Sequence, residues 1–366
     1  MLLRSRGPKH VRFDIELRPA LVEPGNRRRN APDGGWADPT PDGIRVLKAY
    51  RTPPDIPLAT ATLVRFAGRE FTADLTEDEI SQFFTLSEAI AFAGLSNRNF
   101  FQPLGYYNRD SFPLIAQRFL KDQGGVALVL RRRDGSKTVG IPEQFWVARK
   151  EPHIEVLSHF DLDSDLAALV LSEMDRSEDF DRAIRSFNEG NTDRPSLSEA
   201  QELISMVSAF QRLLGERSGD EGKTRRAFVT AMSKIPAAGI TPKKTRAAEK
   251  LPKRPGGLRE VWTEDLCVLR GSVGHGHDVT AYPSVWTSME HLLLAAHIFP
   301  LLVKLKFADA GKRSLTTDEK LRLALFDLFL ASGNVLGADR DQYGIPTRFE
   351  WNSICLEGQR QRLGDW

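Results

Sequence analysis

Hydrophobic residues in the second half of the chain recur at the three- and four-residue spacing that is typical of amphipathic helices. The clearest case is 196–215, where seven apolar side chains fall on one helical face and a glycine follows the last of them. The same spacing predicts further helices with these approximate bounds: 177–190, 224–235, 258–273, 284–307 and 316–331. From about residue 160 onwards, the pattern therefore indicates an all-α bundle.

Short polar side chains mark the expected starts of several of these helices. Ser177 is expected to accept a hydrogen bond from the first turn of the helix that follows it. Ser196 with Glu199, and Thr316 with Glu319, have the spacing of a capping box, in which each side chain bonds the other residue's backbone amide. These pairs predict where two of the helices begin.

The first 155 residues follow a different pattern, in which prolines are frequent and apolar residues alternate with polar ones. Proline excludes a long helix between residues 19 and 57 because it lacks the amide proton and crowds the preceding turn. Three short alternating stretches are typical of strands: 11–17, 43–50 and 59–66.

Two more features complete the pattern of this N-terminal region. Asp134–Gly135 separates two strand-like stretches, and this dipeptide favours the positive φ angles of a tight hairpin turn. Thr76 with Glu79 predicts one capped helix, over 76–94. The region is therefore predicted to be β-rich and mixed.

The two patterns together predict an α+β protein, and its length of 366 residues suits two domains. The acidic stretch 161–165 lacks the glycine and the glutamate that a calcium-binding loop needs, so a solvated linker is expected there. The predicted units are a recognition or sensor domain at 1–155, a linker at 156–176, a helical domain at 177–335 and a C-terminal extension at 336–366.

The charge balance changes this picture in one place. The chain has 51 Lys and Arg residues against 49 Asp and Glu residues, a formal net charge of +2, which argues against a protein that coats nucleic acid over its whole surface. Residues 223–254 nevertheless contain ten basic residues and one acidic residue. This segment is either a track for the RNA backbone or a solvated loop. The basic residues nominated for RNA contact are Lys243, Lys244, Arg246, Lys253 and Arg254.

The cysteines and the apolar runs bear on the compartment. Cys267 and Cys355 are too few for a disulfide framework, and the N-terminal residues lack the apolar core of a secretory signal. The most apolar run, 292–303, is interrupted by His297 and Pro300 and is too short to span a bilayer. A soluble cytoplasmic protein without a membrane partner is expected.

The stretch 264–279 carries the strongest chemical signal in the chain. Arg270 is predicted near the end of a helix, and three closely spaced glycines are expected to end that helix and to let a phosphate approach the backbone. Arginine can hold a phosphodiester through two parallel hydrogen bonds, and histidine can exchange a proton near neutral pH. Arg270 and His275 therefore suit cleavage of RNA by its own 2′-hydroxyl, with Ser272 and His277 as assisting residues.

This reaction needs no metal, and the sequence contains no phosphate-binding P-loop, dinucleotide fingerprint, paired CxxC motif or HExxH motif. No cofactor is therefore expected.

The arrangement Arg270-x4-His275-Gly276, after the helices around 182–187 and 204–215, resembles the HEPN superfamily and most closely its Apea-like branch. The resemblance covers about 177–310. It implies a metal-independent endoribonuclease of the toxin or anti-phage defence type, acting as a homodimer in which the two motifs face each other. In that family a polar residue often follows the arginine directly, whereas this chain has glycine there and Ser272 one place later.

Other interpretations of the same residues remain open. Arg270 and His275 could instead stabilise the C-terminal end of a helix through its dipole, and His277 could be an exposed loop residue. His291 and His297 are expected in the interior or facing a partner. The alternative function is a catalytically inactive HEPN-like bundle for dimerisation or nucleic-acid binding. The N-terminal region could bind an activating ligand, although none of its residues indicates which.

Overall fold

The structure of this protein is a computed structural model. The described residues are 2–4, 14–21, 50–52, 56–57, 60–66, 76–101, 107–112, 118–120, 125–131, 137–140, 145–146, 162–193, 196–216, 221–235, 257–274, 284–332, 335–336, 351–356 and 358.

Eight α-helices are found among these residues, and we number them in chain order. They are α1 Glu77–Leu95, α2 Ser164–Met174, α3 Glu178–Glu189, α4 Glu199–Leu213, α5 Glu221–Met232, α6 Leu258–Gly274, α7 Ser288–Asp309 and α8 Thr317–Ser332. A short 3-10 helix, Arg109–Ser111, and a helical stretch at 351–356 accompany them. The helices predicted for the second half of the chain are therefore present.

Capping contacts explain where several helices begin. The predicted box of Thr76 and Glu79 is formed at α1, and Ser177 accepts a hydrogen bond from the amide of Phe180 at α3. Helix α8 begins after a third predicted pair, in which Thr316 N donates to Glu319 Oε2 over 2.8 Å.

The cap predicted for α4 is wrong by two residues. Ser198, not Ser196, accepts from the amide of Gln201, and the Gln201 side chain accepts from the amide of Ser198. Glutamine serves as well as glutamate in this position of a capping box, so the sequence offered two overlapping candidates.

An aromatic cluster forms the centre of the helical core. Phe187 of α3 stacks on Phe299 of α7 with ring centroids 4.7 Å apart, and Phe92 of α1 meets Phe187 edge-on at 5.5 Å. Phe210 of α4 meets Phe299 edge-on at 5.2 Å. Offset and edge-to-face arrangements are the favoured geometries of aromatic rings, so these contacts fix four helices against one another.

The predicted α+β fold, with a β-rich N-terminal domain beside a helical bundle, is wrong. None of the residues whose burial is described lies in a strand, and the described interior is helical. Helix α1, which the sequence placed in the β-rich region, contributes Leu86 and Phe92 to the same core as α3 and α7. The apolar face of α1 packs into the helical core, and the local sequence pattern alone did not reveal this long-range contact.

Short strands are present before residue 147. They are β1 Leu2–Arg4, β2 Asp14–Leu21, β3 Tyr50–Thr52, β4 Ile56–Pro57, β5 Thr60–Phe66, β6 Arg118–Leu120, β7 Gly125–Arg131, β8 Lys137–Gly140 and β9 Phe145–Trp146. They form three separate groups, in the orders β1-β2-β5, β4-β3-β9 and β6-β7-β8.

The pairings within these groups agree in part with the sequence pattern. Strands β7 and β8 are antiparallel, with Arg131 opposite Lys137, so the pairing predicted on either side of Asp134–Gly135 is present. Strands β2 and β5 are also antiparallel, whereas β3 and β9 are parallel. Among the described residues of this region, the strands thus pair within three groups.

The segment expected to be a linker, 156–176, contains helix α2. Asp163 accepts a hydrogen bond from the amide of Leu166 over 2.8 Å and lies 3.3 Å from Arg313 Nη1, so it is a helix cap and an ion-pair partner. Leu166 and Val170 are fully buried. The acidic composition of 161–165 therefore reflects the start of a core helix.

Helix α7 is the one described helix that is long and apolar enough to cross a membrane. In this structure 83% of its apolar window is buried inside the protein. A helix that is hydrophobic on every side is typical of the centre of a large core, and the structure is consistent with a soluble protein.

A buried ion pair attaches α6 to α8. Arg259 Nε and Nη2 donate to the two carboxylate oxygens of Asp327 over 2.8 and 2.9 Å, and Arg259 Nη1 donates to the carbonyl of Met232 over 2.7 Å. The two side chains are only 11% and 5% exposed. One guanidinium therefore joins α6, α8 and the end of α5.

Arg259→Met should lower the free energy of unfolding by about 3–5 kcal/mol, because it leaves the Asp327 carboxylate buried without its counter-charge. Urea denaturation measures this loss. The double variant Arg259→Met/Asp327→Leu should recover part of it, since both charges are then absent. Arg182→Met, at an exposed ion pair on α3, is the control. A loss below about 1 kcal/mol for Arg259→Met would contradict the assignment.

Candidate functional site

Helix α6 is the scaffold of the candidate site. It runs over Leu258–Gly274, close to the predicted bounds, and ends at one of the three glycines that were expected to end it. Trp262, Leu266 and Leu269 are 0–1% exposed and form the face that packs into the core. Arg270 follows Leu269 directly, so its position is set by a well-packed helical turn.

Ion pairs from two neighbouring helices hold the first half of α6. Arg259 is bound by Asp327 of α8, as described above. Glu264 of α6 lies 3.2 Å from Arg225 of α5, at side chains that are about one-third exposed. The helix therefore cannot rotate about its axis without breaking a buried contact.

A buried carboxylate, Asp265, ties the chain that follows the motif back to the same helix. Asp265 is fully buried, and its Oδ2 accepts a hydrogen bond from the Val285 amide over 2.7 Å. Ser284 Oγ lies 3.3 Å from the same oxygen. Ser284 and Val285, which follow the motif in the sequence, are therefore held against α6 at Asp265, a little more than one turn before Arg270. Asp265 was not among the residues nominated from the sequence.

Ser284, Asp265 and His291 do not form a nucleophilic triad, although the three residue types are present. Ser284 Oγ lies 2.5 Å from the Trp286 carbonyl oxygen and 3.3 Å from His291 Nε2. Within the described residues, His291 Nδ1 has no hydrogen-bond partner, so no carboxylate orients the ring for catalysis. The imidazole is also fully buried between Trp262 and Trp286, out of reach of a substrate.

His291 and His297 are interior residues, as the sequence analysis expected. Burial lowers the pKa of His291 to about 3. Burial, and then the charge of Arg322, lower the pKa of His297 to about 3, while His297 Nε2 lies 3.0 Å from the Arg322 carbonyl oxygen. Both imidazoles are therefore neutral at physiological pH.

Arg270 differs from the other arginines of the site. It is half-buried, and among the described residues it has neither a carboxylate nor a hydrogen-bonding partner, whereas Arg225 and Arg259 are both paired. It donates no hydrogen bond to the described carbonyl groups at the end of α6, whereas an arginine that caps the helix would do so. Ser272, two residues further on, is also half-buried. A guanidinium that no described residue binds, on a fixed helix, is a candidate for binding an anionic ligand.

The other nominated residues lie outside the described part of the chain. They are His275, His277, Lys243, Lys244, Arg246, Lys253 and Arg254. The pairing of Arg270 with either histidine, and the contact of the basic segment with RNA, therefore stay predictions.

Comparison with protein-family models, curated proteins and solved structures finds no match to this chain. The resemblance to the HEPN superfamily accordingly depends on the spacing of Arg270 and His275 in the sequence, and on the place of Arg270 near the end of α6, the helix before the long helix α7.

The two buried histidines predict a specific pH dependence of stability. In the unfolded chain a histidine binds a proton below about pH 6.5. In the folded protein His291 and His297 bind a proton only below about pH 3. The unfolded state therefore binds more protons across this interval, and the free energy of unfolding falls as the pH is lowered. Each histidine contributes up to about 1.4 kcal/mol per pH unit.

Urea denaturation between about pH 7 and pH 4 measures this dependence. His297→Gln keeps a donor for the Arg322 carbonyl but cannot titrate, so its stability should fall less steeply with acidification than that of the wild type. Identical slopes for the two proteins would show that His297 is not held neutral.

Proposed function

We propose that this protein is a metal-independent endoribonuclease of the HEPN type, which acts in the cytoplasm as a toxin or as an anti-phage defence effector. The observation that carries the proposal is the half-buried Arg270 guanidinium, which has no partner among the described residues and stands on a helix held by the buried Arg259–Asp327 ion pair. A cytoplasmic setting is supported by the two cysteines, which are both free.

The fixed position of Arg270 supports a role in binding phosphate. Guanidinium presents two parallel N–H donors that match two phosphate oxygens, and it keeps its charge at any physiological pH. A rigid scaffold lowers the cost of aiming that charge at the phosphate when the transition state forms. Asp327 and Asp265, which fix α6 and the return of the chain to it, supply this rigidity.

The proposed reaction needs one proton acceptor and one proton donor. His275 takes the proton of the ribose 2′-hydroxyl as that oxygen forms a bond to phosphorus, and Arg270 stabilises the negative charge on the phosphoryl oxygens. The bond from phosphorus to the 5′-oxygen then breaks, and a protonated histidine gives its proton to that oxygen. The products are a 2′,3′-cyclic phosphate and a 5′-hydroxyl. Ser272 and His277 assist by hydrogen bonding.

The proton balance of this reaction supports a homodimer. One imidazole cannot accept the first proton and donate the second at the same moment, whereas His275 of each subunit can perform one of the two steps when the motifs face each other. RNA and a second copy of this chain are therefore the proposed partners.

Cleavage of RNA in the presence of EDTA tests the proposal. The wild type should produce fragments that end in 2′,3′-cyclic phosphate, and Arg270→Ala and His275→Ala should each lower the rate by at least about a hundredfold. Arg270→Lys keeps the charge but loses the paired donors, so it should retain an intermediate rate. Arg182→Ala, on an exposed face of α3, is the matched control and should cleave like the wild type.

Two outcomes would contradict the assignment. Unchanged cleavage by both Arg270→Ala and His275→Ala would remove these residues from the site. Cleavage that EDTA abolishes would replace the mechanism with a metal-dependent one.

The second candidate function is a catalytically inactive HEPN-like bundle that binds nucleic acid or dimerises. Gly271, which directly follows Arg270 and is half-buried, favours this second function, because members of the family often have a polar side chain at that position. Binding of RNA by the wild type without cleavage, together with weaker binding by Arg270→Ala, would support this function over the nuclease.

A further inference from the structure

The turn that follows α3, residues 190–193, is docked on the chain around the 3-10 helix. The Arg109 amide donates a hydrogen bond to the Asn191 carbonyl over 2.7 Å. Asn108, which caps the 3-10 helix, donates from its Nδ2 to the Thr192 carbonyl over 3.0 Å. These two bonds connect the end of α3 to the 3-10 helix, and they hold only while the turn keeps its position.

A buried carboxyl group lies against this turn. Glu202, in the first turn of α4, is 8% exposed, and its Oε1 accepts a hydrogen bond from the Asp193 amide over 3.2 Å. This is the one hydrogen bond that the Glu202 side chain makes with a described residue, and it is long and comes from a neutral donor. A single bond of this kind offsets only part of the cost of burying a carboxylate.

The charges near Glu202 make its ionisation still less favourable. Asp193 lies beside it, and Glu199 is a second acidic residue in the first turn of α4. Arg98 is the cation that opposes them, and its guanidinium is also bound to the Tyr107 carbonyl over 3.3 Å. Burial, and then the charge of Asp193, therefore raise the pKa of Glu202 to about 7.

We propose that the turn 190–193 is a proton-controlled contact. It stays docked on the 3-10 helix while Glu202 is protonated, and it opens more often when Glu202 is ionised. In the open state the Glu202 carboxylate reaches water and loses its bond to the Asp193 amide, and the turn loses its bonds to the 3-10 helix. This contact is separate from the proposed nuclease site and does not depend on it.

The direction of the effect follows from proton binding. In the open turn Glu202 titrates near its ordinary pKa of 4.5, whereas in the docked turn it titrates near 7. The docked state therefore binds more protons between these two values. The equilibrium constant for opening should rise with pH, by at most about tenfold per pH unit, and should level off above about pH 7. His291 and His297 act in the opposite direction, because acidification destabilises the folded protein through them.

Amide hydrogen exchange of the full chain, followed by NMR between about pH 5.5 and pH 7, tests the proposal. The Arg109 and Asp193 amides are informative because both of their hydrogen bonds break when the turn opens. Their protection factors, which are corrected for the intrinsic pH dependence of exchange, should fall at least about fivefold over this interval. The amide of Leu301, fully buried in the centre of α7, should lose no protection.

Three variants locate the effect. Glu202→Gln keeps an acceptor for the Asp193 amide but cannot ionise, so the protection factors should no longer depend on pH. Asp193→Asn removes the neighbouring charge and keeps a residue that tolerates the φ of 50° found there, so the loss of protection should be smaller and should end at lower pH. Glu199→Gln removes an exposed charge from the same turn of α4 and is the matched control, which should behave like the wild type within about twofold.

Four outcomes would overturn the proposal. One is a wild type in which the Arg109 and Asp193 amides have equal protection factors at both ends of the pH interval. Another is a Glu202→Gln variant that keeps the wild-type pH dependence. An equal loss of protection at Leu301 would show that the whole protein opens rather than the turn. Equal effects of Glu199→Gln and Glu202→Gln would show that the general charge at the start of α4 controls the turn.

Discussion

The position of helix α6, and with it the whole candidate site, depends on two buried carboxylates. Asp327 binds Arg259 through two short hydrogen bonds, and Asp265 binds the Val285 amide over 2.7 Å. A buried carboxylate without such partners would cost several kcal/mol, so each contact fixes one place along the helix. The result is a helix whose apolar face is in the core and whose Arg270 lies at the boundary with solvent.

The same principle explains how helix α7 can be buried on nearly every side. Sixteen of its 22 residues are buried, and the polar ones among them have specific partners or are neutral. Lys304, 1% exposed, lies 3.0 Å from Glu319 Oε1 and 3.1 Å from Asn97 Oδ1. Burial lowers the pKa of Lys304, and the ion pair opposes that effect. Glu319 also caps α8, so one carboxylate joins the start of α8 to the centre of α7.

Helix positions were largely predictable from the sequence because they follow from local spacing and from side chains that cap their own helix. The Thr76–Glu79 and Thr316–Glu319 boxes are examples. The place of α1 in the core was not predictable in this way, since it depends on Phe92 meeting Phe187 and Phe299 far along the chain. The α+β prediction failed for that reason. Alternating residues and prolines before residue 60 suggested a β-rich domain, and helix α1, which follows them, was placed in that domain instead of in the helical core.

The candidate site was predictable only where chemistry is visible in residue type. Arg270 could be nominated from its spacing to His275, whereas Asp265 could not, because a lone acidic residue in a helix gives no sign that it will bind an amide twenty positions later. The most direct test of the central claim is the NMR signal of the Arg270 guanidinium, observed in EDTA while 2′-O-methyl RNA, which cannot be cleaved, is added. The account predicts that the Arg270 Nε–H resonance shifts and saturates while that of Arg182 does not move. An unchanged Arg270 signal with RNA bound elsewhere would contradict it.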